Sequence, residues 1–367
     1  MTTNDAFYPH EDPLNIQSIR DWLLENDPDK LNRLWQMADD TRRSRVGADV
    51  WLRGLIEVSN NCARSCAYCG ISDCAPNVER YRMGRDVILS SAKKAVEYGF
   101  GTVVLQGGED PGLTGPWIAD VVRSIKSETG LAITLSLGER CDTDLLAWRE
   151  AGADRYLLRF ETSDPELYKQ IHPNLGEQSN RFAQLERMRN MGYEIGTGVM
   201  VGIPGQTWDT LANDIWLFRH YDMDMIGIGP YVESPGTPLA GALGASLKNA
   251  AGADQVPNDD LTTFKALALT RLICPLTNIP ATTALATINP GGGRSNALQR
   301  GANVVMPNLT PPEYRVLYQI YPEKAGLHET ADITREKIES QIKSLGRTIG
   351  RGPGTSPRLL LEKTARS

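Results

Sequence analysis

The sequence predicts an α/β fold, a (β/α)8 barrel of parallel strands with an N-terminal helical extension and a C-terminal helix and tail. Three observations lead there. Short apolar, β-branched runs alternate with helix-period segments eight times between about residues 50 and 306, and strict alternation of this kind marks a parallel sheet. Eight such units are the number that closes a barrel. The unusual short motifs all fall directly after a strand, at the end of a barrel where chemistry sits. A long open doubly wound sheet is the structural alternative.

In order, residues 1 to about 13 read as irregular. Ile16, Ile19 and Leu23, then Leu31, Leu34, Trp35 and Met37, recur mostly at three- and four-residue steps, and Asn26-Asp27-Pro28 divides them into two helices. Residues 1–48 form this extension. Residues 49–325 form the barrel. Its predicted strands are Leu52–Val58, Thr102–Leu105, Ala132–Leu137, Arg155–Phe160, Glu194–Val201, Met225–Ile228, Ile279–Leu285 and Asn303–Met306. The intervening helices are Val87–Tyr98, Trp117–Ser127, Asp142–Ala151, Asn180–Met191, Thr207–His220, Leu261–Ile273 and Ser295–Arg300. Several end at a glycine, the residue that best accepts the left-handed conformation there. The Gly-, Ala- and Pro-rich stretch 233–257 reads as a loop. Residues 326–367 hold one more amphipathic helix, about Ile333 to Ile349, and a basic Gly/Pro/Ser-containing tail expected to be partly mobile.

The 367 residues are 41% hydrophobic and 23% charged, with net charge −6, an ordinary globular composition. Mild acidity gives no reason to expect nucleic acid or an anionic membrane as partner. No apolar run reaches the roughly 18 residues of a spanning helix, and the polar Met-Thr-Thr-Asn-Asp start lacks signal-peptide character. Six cysteines in a chain this long suit a reducing, cytoplasmic setting better than a disulfide framework. Cys74, Cys141 and Cys274 are scattered and read as plain thiols; His10, His172, His220 and His328 form no cluster.

The most informative stretch is residues 61–70, Asn-Cys-Ala-Arg-Ser-Cys-Ala-Tyr-Cys-Gly. Cys62, Cys66 and Cys69, spaced C-x3-C-x2-C, can ligate three irons of a cubane cluster through their thiolates. With no obvious fourth ligand nearby, one iron stays open to bind a small molecule. A zinc site is the rival; it normally needs four ligands, often as paired motifs, and no second pair exists. The spacing, with Tyr68 before the third cysteine, resembles the radical S-adenosylmethionine (SAM) superfamily. That resemblance implies one 4Fe–4S cluster, SAM chelated on its open iron, and a 5′-deoxyadenosyl radical released by one electron.

Around that cofactor, Gly107, Gly108 and Glu109 follow the second strand, and glycine permits close backbone approach to the SAM amine. Ser136 ends the third strand. Glu161 can accept from ribose hydroxyls or the amine, and Arg181 can clamp the carboxylate as a bidentate fork. Plain capping for Glu161 and a solvated helix face for Arg181 are the bland alternatives. Tyr68, Met200 and Ile228 can wall the adenine or simply pack. Thr134, Arg159, Thr282, Thr283 and Tyr318 are the candidate substrate contacts, polar groups where a barrel interior normally carries Val, Ile and Leu.

Beyond the cysteine loop, Val104–Pro111, Thr134–Glu139 and Gly152–Arg159 resemble the group containing biotin synthase, methylornithine synthase and the FeFe-hydrogenase maturase HydE. Met200–Thr207, Ile226–Pro230, Asn278–Ala284 and Gly301–Asn308 are most similar to the HydE family. The resemblance spans about residues 50 to 325. It implies a small substrate below SAM, an iron complex carrying carbon monoxide, cyanide and cysteine, attacked at sulfur on the way to the hydrogenase di-iron site. It also implies an electron donor such as flavodoxin or ferredoxin, and other maturases as partners. A mutase or lyase acting on an amino acid or organic acid is the alternative, and an iron–sulfur carrier a third reading. The chain departs from the family twice. The segment 325–338 has no cysteines, so no second cluster is expected, and Phe160 stands where HydE-like sequences tend to have His.

Overall fold

The computed structural model describes residues 14–75, 78–173 and 179–366; the expectation for residues 1–13 lies outside them. Two helices lead in, α1 (Ile16–Leu24) and α2 (Pro28–Val46). Asn15 and Ser18 form a capping box on α1, while Asp27 caps α2 with Pro28 in its first turn, which supplies partners to otherwise orphaned N–H groups. Ile19, Leu23, Leu34 and Ala38 bury one side of this pair in the main core.

The barrel then runs β1 (Asp49–Ser59), α3 (Arg85–Glu97), β2 (Thr102–Gly107), α4 (Gly115–Thr129), β3 (Ala132–Ser136), α5 (Asp142–Glu150) and β4 (Arg155–Leu157). It continues with α6 (Pro165–Ile171), α7 (Arg181–Asn190), β5 (Glu194–Val201), α8 (Trp208–His220) and β6 (Met225–Pro230). All neighbouring strands pair parallel, in the order β6-β5-β4-β3-β2-β1 and, beyond β1, β7 (Val304–Val305). Val103, Leu105, Ile133, Leu135, Ile195 and Ile226 fill the layer between strands and helices without solvent contact beyond 1%.

Helices α9 (Ala242–Ala251) and α10 (Asp260–Ile273) follow. The stretch 233–257 is therefore not a loop: Ala-rich sequence makes a ten-residue helix flanked by two single 3-10 turns. The expected strand Ile279–Leu285 is also shorter than read. Residues 278–281 alone are extended, and Thr282 caps a new helix α11 (Thr283–Ile288). Those four residues close the ring. Ile226 donates to Asn278 O at 3.0 Å, and Asn303 donates to Ile279 O and Ala281 to Val304 O, each at 2.9 Å. After α12 (Gly293–Gln299), β7 (Val304–Val305) returns to β1.

Past α13 (Pro312–Arg315) and α14 (Ala331–Ser344), β8 (Thr348–Ile349) pairs with the start of β1, and α15 (Pro357–Arg366) ends the described chain. The tail expected to be mobile is a plug instead. Pro353 O accepts from Thr102 Oγ1 at 2.8 Å and from Arg155 at 2.9 Å; Gly354 O accepts from Arg53 and Asn278, each at 3.0 Å. Gly350 and Gly354 lie flat on Trp51, where an added Cβ would come within 2.5 and 2.8 Å of the indole. The plug thus covers the N-terminal ends of the strands, opposite the cavity described below.

Candidate active site

A cavity of about 300 Å³ opens at the C-terminal ends of the strands, and Tyr68 and Cys69 of the cysteine loop form part of its wall. Its space comes from glycine. Along β5 and β6 the inward positions include Gly198, Gly227 and Gly229; a Cβ on Gly198 would sit 2.2 Å from Gly227 O and 3.0 Å from Arg159 Nε. Side chains from neighbouring strands use the room: Leu55, Glu57, Leu157, Arg159, Met225 and Met306 line the lower part.

The cysteine loop is fixed on three sides. Ala63 donates to Glu109 O and Ala67 to Ile171 O, each at 2.9 Å, and Gly70 donates to Ile320 O at 2.9 Å. Gly108 lies against the loop so closely that a Cβ would meet Asn61 O at 2.2 Å and Cys62 Cβ at 2.8 Å. The Glu109 carboxylate does not face the cavity. Its Oε1 accepts from Arg64 Nε at 2.6 Å and its Oε2 from the Glu139 N–H at 2.9 Å, tying three loops together. Gly107 and Ser136 do line the cavity.

Burial pushes all three loop thiols up: Cys62 above the ordinary range, Cys69 up to about 12, and Cys66 higher still, with Cys69 next in weight at Cys66. Burial thus disfavours the charged form of each thiol. Among the described residues no group of three His, Cys, Asp or Glu side chains could hold a single metal ion. Three cysteine sulfurs on one loop are the donor set that a 4Fe–4S cluster with one open iron would take.

Glu161 occupies the end of the β4 segment with φ 63°, the left-handed region, a strained conformation for a residue with a Cβ. The buried carboxyl is raised above its usual range by desolvation, against the pull of Arg159 and Arg181. Its Oε2 and the Arg159 Nε are 3.5 Å apart, an ion pair without a hydrogen bond, and both atoms are buried with no other partner. Tyr231 OH, on the same cavity wall, is likewise buried and unpartnered. Polar atoms left open on the wall of a cavity are what a polar ligand such as SAM would satisfy.

The remaining candidates are placed as follows. Met200, Arg159, Thr282, Thr283 and Tyr318 line the cavity with Tyr68 and Glu161. Thr282 also caps α11 and donates to Ile228 O at 3.3 Å. Thr134 lies one pleat below Ser136, fully buried and outside the cavity lining, its Oγ1 without a hydrogen-bond partner. Arg181 stands outside the lining, donating to Glu139 Oε1 at 2.9 Å and to Arg159 O at 2.6 Å. Ile228 is not a cavity wall: it packs in the helix-facing core, while Gly227 and Gly229 on either side face inward. Phe160 also faces outward, against Phe182 and Phe218 with ring centres 4.7 and 5.6 Å away. Exchanging His for Phe there changes the helix layer, not the cavity.

Sequence reasoning missed Glu57, Gln106, Tyr321 and Lys324 on the cavity wall. Lys324 pairs with Glu57 Oε1, Asn308 donates to Glu57 Oε2 at 3.0 Å, and Gln106 donates to Tyr318 OH at 3.3 Å. The available signal was the pair Arg53 and Glu57, two charges four residues apart on one face of an otherwise apolar strand.

The Radical SAM superfamily model matches residues 56–215. The [FeFe] hydrogenase maturase subunit HydE of Thermotoga maritima is 43% identical over 93% of this chain and 93% of its own. The 3-methylornithine synthase of Methanosarcina acetivorans is 28% identical over 96% of this chain and 93% of its own. The crystal structure of methylornithine synthase superposes with a TM-score of 0.77 at 25% identity, covering 93% of this chain and 95% of that one. A 4Fe–4S cluster and SAM go with this family. The chain is a radical SAM enzyme and belongs, within that superfamily, to the family of the hydrogenase maturase HydE.

Proposed function

We propose that the chain is a hydrogenase-maturation enzyme of the HydE type, acting on a small thiol-bearing or iron–carbonyl–cyanide–cysteine substrate. The observation that carries this reading is one continuous cavity running from Cys69 and Tyr68 past Glu161 to Arg159, Thr282 and Thr283. A full-length relative named as a HydE subunit supports it. When bound, the cluster and SAM supply the 5′-deoxyadenosyl radical; the protein's part is binding, orientation and exclusion of water.

In this reading Cys62, Cys66 and Cys69 hold the cluster. The backbone at Gly107 and Gly108 allows close approach to SAM, with Ser136, Glu161, Tyr68 and Met200 around it. Arg181 holds the Arg159 carbonyl and Glu139 in place, within electrostatic reach of Cys66 and Tyr68. Arg159, with its open Nε, and Thr283 would orient the polar end of the substrate, with Tyr318 as a further contact. One cluster only is proposed, since residues 325–338 lack cysteine. A flavodoxin- or ferredoxin-type donor would deliver the electron, and other maturases would take the product.

The test is 5′-deoxyadenosine formation by anaerobically reconstituted protein. Cleavage stimulated by an iron–carbonyl–cyanide–cysteine complex, and not by amino acids, is the expected result. Stimulation by an amino acid alone would move the chain to the methylornithine synthase-like reading.

A further inference from the structure

The left-handed turn at Glu161 is gripped from both sides. Thr162 donates to Phe160 O at 2.8 Å, closing a three-residue turn around Glu161, a form that is rare and strained when its central φ is positive. The Glu161 N–H is tied to Gly198 O of β5 at 3.1 Å. On the other side, the Ser163 N–H donates to Asp214 Oδ1 at 2.6 Å, and Asn213 Nδ2 donates to Ser163 Oγ at 2.9 Å. Asn213 and Asp214 both lie on α8. Strained residues persist only where their surroundings over-determine them, and here β5 holds one end of the turn and α8 the other.

Asp214 reaches a second wall element. Its other oxygen accepts from Gln206 Nε2 at 3.1 Å, and Gln206 in turn donates to Met200 O at 3.1 Å and accepts from the Gly202 N–H at 2.7 Å. Glu161 and Met200 line the cavity, while Asp214 stands outside the lining. Stability alone does not call for a carboxylate at this place. The side chain is fully buried, its partners are a backbone N–H and a neutral amide rather than a cation, and burial pushes the carboxyl up to about 7. A buried charge without a cation is costly. An ionised carboxylate offers two acceptor oxygens and no donor, which suits two N–H groups arriving from different loops.

We propose that Asp214 is a positioning residue for SAM: through Ser163 it fixes the Glu161 turn, so that the Glu161 carboxylate already faces the cavity before SAM arrives. A contact held in its bound geometry beforehand costs less to order on binding. The proposal rests on the reading of Glu161 as a SAM contact and adds a residue behind the cavity wall.

The experiment is anaerobic calorimetry of SAM binding to cluster-loaded protein, arranged as a double-mutant cycle. Asp214→Leu, similar in shape but without an acceptor, should weaken SAM binding roughly tenfold, the equivalent of one charge-assisted hydrogen bond. Asp214→Asn keeps an acceptor for Ser163 and should stay close to the wild type. On a Glu161→Ala background Asp214→Leu should cause no further loss, because no carboxylate is left to place. Wild-type affinity in Asp214→Leu, equal losses in the Asn and Leu variants, or losses that add on the Glu161→Ala background would overturn the proposal. Should Asp214→Leu fail to fold, amide hydrogen exchange of the wild-type apoprotein decides. The Ser163 N–H should exchange as slowly as the strand amides; exchange at the rate of an open loop would overturn the clamp. Full SAM affinity in Glu161→Ala would instead remove Glu161 from the SAM site, and the reason for a clamp with it.

Discussion

Replacing Glu161 by Gly separates folding from cofactor binding. The residue is held at φ 63°, and a left-handed conformation disfavours any residue with a Cβ by roughly 1–2 kcal/mol. Glycine relieves that strain, while its greater freedom in the unfolded chain returns roughly 0.5–1 kcal/mol. The Oε2 atom, buried without a hydrogen bond, disappears in both Glu161→Gly and Glu161→Ala. The difference between the two variants therefore isolates the backbone. Glu161→Gly should be the more stable by up to about 1 kcal/mol in apoprotein denaturation. A hydrogen bond to a charged group contributes roughly 1.5–3 kcal/mol, so both variants should bind SAM about ten- to a hundredfold more weakly by anaerobic calorimetry. An alanine variant more stable than the glycine variant would refute the strain argument. Unchanged SAM affinity would refute the role given to the carboxylate.

Further outcomes follow from the same geometry. Gly198→Ala puts a Cβ 2.2 Å from the Gly227 carbonyl; about 1–3 kcal/mol of overpacking is expected, with weaker substrate binding but normal iron content, measured on the reconstituted protein. Ending the chain before Gly350 removes the carbonyls that receive Arg53 and Arg155, and at roughly 1.5 kcal/mol or more per charge-assisted bond the urea midpoint should fall clearly. Asp214 is buried, accepting from Ser163 N at 2.6 Å and Gln206 Nε2 at 3.1 Å, and burial raises it to about 7. A carboxyl raised on folding contributes stability that is present below its unfolded value and lost as pH rises toward 7. Asp214→Asn should therefore flatten the decline of apoprotein stability between about pH 4 and 7, followed by denaturant melts across that range.

Much of this architecture was legible because the period-2 and period-3.6 signals were strong and glycine marked several helix ends. The strands whose apolar residues face the helices were read correctly for that reason. The same rule failed at Ile228: glycine occupies the inward positions of β6, so the apolar residue that looked like a wall is the outward one. The 278–281 strand merged with the apolar start of α11, because Thr282, which divides them as a helix cap, lines the cavity as well and reads equally as a site residue. The tail was misread because its order comes from carbonyls bound by distant Arg53, Arg155 and Asn278, a tertiary effect with no local signature. The strain at Glu161 and the bond from Ser163 to Asp214 depend on segments that meet only in the folded chain. The cysteine spacing, by contrast, is a property of one decapeptide and was readable at once.

SAM binding in this site requires one iron of the three-cysteine cluster to remain open. Mössbauer spectra of the anaerobically reconstituted 57Fe protein test this directly. Addition of SAM should change the signature of one iron in four, and Cys66→Ala should abolish the cluster. A spectrum in which all four irons ignore SAM, or protein that takes up one zinc and no cubane, would contradict it.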